Sequence, residues 1–247
     1  MQQEQERPIA YLIGDTETTG LPPSYRACEV AWIEIDPVSL EIVYEVDQLI
    51  DPEMPIPPAV TAIHGISDEM VANEPTMDEF KTMILGDRYA DRDVCFIAHN
   101  ATFDVPLVKD LFTITNTVCT LTWARRLFPD APKHKLEVLR QFFGYPEGEA
   151  HRALADVYTT RRILRDLLNA RNMTLEQFAR NGEHTVHVMP YGQFKGRLLK
   201  TLPAQYLIWL WNREQLEENM RNSVKEALKI HGIKTVKNNP IIIEVDR

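Results

Sequence analysis

Three successive stretches near the start of the chain are rich in apolar, β-branched and aromatic residues: 9–15 (IAYLIGD), 27–36 (ACEVAWIEID) and 41–50 (EIVYEVDQLI). Such residues suit a pleated, buried surface. Asp36-Pro37 between the second and third reads as a turn, so a meander of three strands is predicted. The proline-rich 51–58 (DPEMPIPP) ends that run. Beyond it the apolar spacing becomes helical. Short helical pieces are predicted at 59–66 and 67–73, then a helix over 76–87 (TMDEFKTMILGD) with Thr76 as its cap. A buried strand at 94–100 (VCFIAHN) follows, then a helix at 105–112, a short strand at 115–120 and helices at 123–128 and 135–144. A long helix runs from about residue 152 to 169. Three strands followed by alternating helix and strand predict an α/β fold, a mixed five-stranded sheet flanked by helices.

From about residue 185 the texture changes to VHVMPYGQFKGRLLKTLPAQYLIWLWN, two glycines in a basic turn before an aromatic helix, then a charged helix. The expected organisation is a first domain at 1–180 and a small C-terminal module at 181–247, whose last residues form a strand or a loose tail. The 247 residues suffice for a core of that size with a module attached.

Composition narrows the picture less. No apolar run approaches the roughly 20 residues a bilayer needs, and the opening residues lack the pattern of a secretory leader. A soluble cytoplasmic protein without a membrane partner is the expectation. Cys28, Cys95 and Cys119 each fall in apolar segments without Cys-x-x-Cys spacing, which reads as three buried thiols. The net charge of −9 argues against a protein that coats nucleic acid through a uniformly positive surface. An enzyme for nucleic acid stays open, since catalytic carboxylates add negative charge that bound cations neutralise.

Candidate chemistry lies in three segments. In IGDTETTG, Asp15 and Glu17 end the first strand two residues apart, so the strand's period of two points both carboxylates to one face, where they can share a metal. In HNATFDVPL, Asp104 follows the buried strand; its plainer reading is a helix N-cap. In AHRALADVYTTRRIL, His151 precedes Asp156 by five residues, about 140° apart on a continuous helix. That spacing puts His151 in the entering loop. Four carboxylates, Asp15, Glu17, Asp104 and Asp156, are hard oxygen donors that favour magnesium or manganese over zinc. Two such ions can activate a water and stabilise a leaving 3′ oxygen. His151, with an ordinary pKa near 6.5, suits the general base.

DTETTG, HNATFD and HRALAD together resemble the three motifs of the DEDDh 3′-to-5′ exonucleases, a family that includes polymerase proofreading subunits. The resemblance implies a ribonuclease H-like fold, with Asp15, Glu17, Asp104 and Asp156 as ligands of two Mg2+ ions (Mn2+ substituting) and His151 as the base. It further implies that Thr18 and Gly20 approach the terminal nucleotide, and that Ile63, His64, Ile66, Asn100 and Phe103 flank it. Core isoleucines and an Asn that caps the next helix are the plain alternatives. The Gly-x-x-Lys-Gly turn at 192–196 after the catalytic segment resembles the exonuclease X branch of the family.

The implied activity is hydrolysis of terminal phosphodiesters of DNA to nucleoside 5′-monophosphates in DNA repair, acting on single strands or 3′ ends, with a homodimer or repair partner left open. The alternatives are the same chemistry on RNA and a polymerase-associated proofreading or binding subunit. Two basic groups are open to either reading, substrate contact or solvated surface: Arg125, Arg126, Lys133, His134 and Lys135, and Lys195, Arg197 and Lys200 beside Tyr191 and Phe194. The aromatics of the module, with Tyr206, Trp209 and Trp211, read equally as a small core.

Overall fold

The computed structural model describes residues 7–146, 152–181, 189, 192–194, 197, 199–213, 216 and 218–235. The chain divides into two compact units, Met1–Asn181 and Gly182–Arg247.

The first unit is built on five strands: β1 Ile9–Thr18, β2 Ala27–Ile35, β3 Ile42–Leu49, β4 Asp93–Ala98 and β5 Thr113–Cys119. They lie in the order β3-β2-β1-β4-β5. The first three pair antiparallel, as the meander requires, while β4 and β5 run parallel to β1. All nine residues of β2 are buried and β3 alternates between half-buried and exposed, which matches a strand flanked on both sides and one at the sheet's edge.

The helices are α1 Pro58–His64, α2 Asp68–Val71, α3 Met77–Glu79, α4 Ala101–Val108, α5 Thr120–Leu127, α6 Leu136–Phe142, α7 Ala153–Arg171 and α8 Leu175–Asn181. Period two along β1 sends Tyr11 and Ile13 into a core with Val157, Ile163 and Leu167 of α7. The alternate residues Ala10 and Leu12 enter a second core with Trp32, Phe80 and Phe96. Burying both faces against helices makes the three-layer architecture expected of the sequence. Gly14 is a packing requirement, since a Cβ there would stand 2.5 Å from the Phe96 ring.

Two elements differ from expectation. The segment 76–87 opens with a capping box between Thr76 and Glu79, but only one α-turn follows before the backbone widens into a π-helix over Phe80–Leu85, ended by Gly86. The helix expected at 105–112 starts earlier, at Ala101, so Asp104 lies inside its first turn and is not the cap. Asn100 holds the cap position in the left-handed region, φ 84°, without a capping bond from its side chain. All three cysteines are buried and free.

In the second unit, α9 Ala204–Trp211 and α10 Glu218–Ile230 enclose a small core of Leu199, Leu202, Leu207, Leu210, Trp211, Val224 and Leu228. Tyr191, Lys195 and the residues after 235, expected as strand or tail, lie outside the described residues. No helix among the described residues is long and apolar enough to cross a membrane.

Candidate active site

The carboxyl ends of the parallel neighbours β1 and β4 lie side by side, the place where open α/β sheets gather ligands. Asp15 and Glu17 leave β1 on the α7 side, and Asp156 meets them from the first turn of α7. Each of the three offers an oxygen, and these atoms lie within 4.8 Å of one another. Asp104 comes from the other face of the sheet. It is buried, and the hydroxyl of Thr16, the residue between Asp15 and Glu17, donates to its Oδ1 at 2.9 Å. The alternation of β1 thus serves twice: odd positions supply carboxylates and the even one fixes the fourth.

Gathering these groups is costly for their charge. Burial, then repulsion from Asp104, Asp156, Glu17 and Glu29, holds the Asp15 carboxyl well above the ordinary range. Burial and the charges of Asp156, Glu29 and Asp104 push Glu17 up to about 8, with Arg152 opposing. Burial raises Asp104 to about 7, while the bond from Thr16 pulls it down. A clustered, hard-oxygen donor set whose repulsion is so incompletely offset fits a divalent cation.

His151 lies outside the described residues. Its neighbour Arg152 is anchored by a residue that the sequence reading passed over, Glu29. This fully buried carboxylate sits opposite Glu17 in the β1–β2 register. It accepts from Arg152 Nε at 3.0 Å and Nη2 at 2.5 Å, and from the Ala153 backbone N–H at 2.9 Å. The N-terminus of α7, and Asp156 with it, is thereby tied to β2. A lone Glu inside ACEVAW was the available signal, because a buried charge requires a partner.

The residues expected near a terminal nucleotide divide. Thr18 is buried with its hydroxyl on the Gly20 carbonyl at 2.8 Å, and the Cα of Gly20 faces open space. Ile63 is 61% exposed. His64 and Ile66 do not share that position. The His64 ring is buried, accepting from the Ile66 N–H at Nδ1 and donating from Nε2 to the Thr18 carbonyl at 3.2 Å. Ile66 is enclosed with Cys28, Ile56 and Val71. Both lie beneath the β1 end: the buried imidazole bonds to the Thr18 and Ile66 backbone and lies 3.8 Å from Cys28 Sγ, and Ile66 could reach a base only by leaving its core. Asn100 is exposed. Phe103 is half-buried and packs on Tyr25 with centroids 5.1 Å apart, a partner the sequence did not indicate.

Beside Asn100 a cleft of about 590 Å³ is lined by His99, Leu121, Arg125, Lys133, His134 and Lys135. It gathers most of the first basic cluster. Arg126 departs from it and lies over the Trp123 ring at 5.1 Å. Another residue unnoticed in the sequence, His99, binds the Thr120 hydroxyl at 2.9 Å and donates to the His134 carbonyl at 2.8 Å. Burial lowers its pKa to about 4, so it joins the loop to β4 as a neutral ring.

A family model described as Exonuclease matches residues 12–164, and the chain belongs to that family, the DEDDh-type 3′-to-5′ exonucleases, a class of nuclease hydrolases. Among known proteins it is similar to Exodeoxyribonuclease 10 of Escherichia coli (strain K12), 28% identical over 225 residues that cover 87% of this chain and 97% of that protein. It is also similar to the PolC-type DNA polymerase III of Clostridium perfringens (strain 13 / Type A), 34% identical over 164 residues, 63% of this chain but 11% of that protein. A solved structure of exonuclease X in complex with 5′ overhanging duplex DNA is 32% identical with a TM-score of 0.56, covering 69% of this chain and 98% of that one. Exonuclease I of E. coli in complex with a dT13 oligonucleotide shares the fold at 17% identity and a TM-score of 0.59, covering 85% of this chain and 61% of that one. A second family model, "Putative quorum-sensing-regulated virulence factor", matches residues 183–234.

Proposed function

We propose that the protein shortens DNA from the 3′ end one nucleotide at a time, hydrolysing the terminal phosphodiester to a nucleoside 5′-monophosphate. The observation that carries this reading is the meeting of Asp15, Glu17 and Asp156, with Asp104 joined through Thr16, at the β1 end of an exonuclease-family chain. Similarity to an exodeoxyribonuclease along nearly its whole length favours DNA over RNA.

Asp15, Glu17, Asp104 and Asp156 would hold two divalent cations, Mg2+ or Mn2+. Such ions, when bound, acidify the attacking water and stabilise charge on the leaving 3′ oxygen. His151 takes the water's proton. Thr18, Gly20, Ile63, Asn100 and Phe103 position the terminal nucleotide, and Arg125, Lys133 and Lys135 receive phosphates further along the strand. Trimming of free DNA ends during repair, in the cytoplasm, is the setting this activity suits.

Digestion of 5′-labelled DNA and a matched RNA, with Mg2+ and with EDTA, tests the reading. A metal-dependent ladder shortening from the 3′ end, absent in Asp15→Asn and slowed about 10²- to 10⁴-fold in His151→Ala, is expected. Faster loss of the RNA would transfer the activity to that polymer. No cleavage of either by the folded wild type would leave a binding subunit.

A further inference from the structure

In the second unit, Trp209 and Trp211 stand two residues apart on α9, about 200° around the helix, so they face opposite ways. Trp211 is in the core. Trp209 is 52% exposed, so of the two readings left open for these aromatics the small core holds for Trp211 and not for Trp209. Two further rings continue from it. Tyr206 stacks on Trp209 with centroids 5.4 Å apart and 28° between planes, and Phe194 meets Tyr206 edge-on at 4.6 Å.

A guanidinium closes each end of this run. Arg213 lies 5.1 Å from the Trp209 ring and Arg197 lies 5.6 Å from Phe194. Both arginines are exposed, as is Lys200 in the turn Leu199–Thr201. Among the described residues no carboxylate forms an ion pair with Arg197 or Arg213. A chain of net charge −9 thus carries a surface of rings bracketed by two exposed guanidinium groups.

We propose that this face of the C-terminal unit binds single-stranded nucleic acid, bases stacking on Trp209 and its neighbours and phosphates meeting Arg197 and Arg213. The chemistry selects a single strand for two reasons. A duplex keeps its base faces inside its own stack, whereas unpaired bases offer theirs to any exposed ring. An acidic peptide would match the arginines but leave the exposed surface of the indole uncovered. The occupant rests on the reading of the protein as an enzyme of nucleic acid. Covalent linkage to the catalytic unit would keep a bound strand at high local concentration and slow its escape between cleavages.

The test is binding of fluorescein-labelled dT20 to the full chain in EDTA, where no hydrolysis competes, followed by anisotropy over a range of salt. Trp209→Ala is expected to weaken binding roughly tenfold, with Trp209→Phe restoring most of the loss at an unchanged melting temperature. Arg197→Glu with Arg213→Glu should flatten the salt dependence by about two contacts. Unchanged affinity in Trp209→Ala, or tighter binding of poly-glutamate than of dT20, overturns the proposal. Because binding is read without catalysis, that failure is separable from a wild type that does not digest DNA.

Discussion

At the scale of single residues, the site gathers carboxylates whose charged forms the metal-free fold opposes. Glu17 has a folded value of about 8 and Asp104 of about 7, both above their ordinary values of 4.5 and 3.8. Between those limits the folded chain holds more protons than the unfolded one. The stability these groups contribute is therefore full below the unfolded values and is lost as pH rises through the folded ones. Melting of the EDTA-treated protein is expected to fall between about pH 5 and 8, and Mg2+ to restore it, most at pH 8. Glu17→Gln should raise the metal-free Tm at pH 8, by stability on the order of 2 kcal/mol, and reduce the response to Mg2+. A metal-free Tm that does not fall with pH would mean that the clustered charges are neutralised within the protein. Asp15 and Glu17 were legible in the sequence because strand alternation fixes their common face. His64 was not, because the spacing of AIHGI does not say whether an imidazole faces a ligand or the Thr18 carbonyl.

Among the elements, the placement of α7 decides whether Asp156 reaches β1. The β-runs were legible because β-branched and aromatic residues fill them, and α7 because its apolar period persists for nineteen residues. The start of α4 was not, since Ala101-Thr102-Phe103 shows no helical period and the chain turns into it through left-handed Asn100. What ties α7 down is the buried Glu29, and the two partners of its ion pair are unequal. The Arg152 side chain is 36% exposed and can turn to water, whereas Glu29 cannot. Arg152→Ala strands a buried carboxylate and is expected to cost about 3–5 kcal/mol at neutral pH. Glu29→Gln keeps a carbonyl for the Ala153 N–H and should cost less, about 1–3 kcal/mol. Urea denaturation of both variants checks the order, and the reverse order would show that Arg152 is the partner with no access to solvent.

For the whole molecule, two facts had to be reconciled: an acidic chain and a polyanionic substrate class. The resolution lies in distribution. Asp15, Glu17 and Asp156 form a cluster of negative charge that a cation fits, and Arg125, Lys133 and Lys135 are collected in the cleft that begins at Asn100, just beyond β4. Composition reports only the net sum, which is why it left the function open, and the basic cluster became directional only once His99 was seen to fasten the 133–135 loop to β4. If the cleft carries the backbone of the substrate strand, its charges act on binding and leave the hydrolytic step alone. Lys133→Glu with Lys135→Glu should therefore raise KM for a labelled oligonucleotide with kcat nearly unchanged. Dependence of kcat/KM on salt should become shallower by about two ionic contacts. His99→Ala, which removes no charge near neutral pH, should raise KM without altering the salt slope, since it frees the loop but leaves its lysines in place. Loss of kcat at constant KM in the double variant would instead assign the lysines to the scissile phosphate. An unchanged KM and slope would return them to the solvated surface.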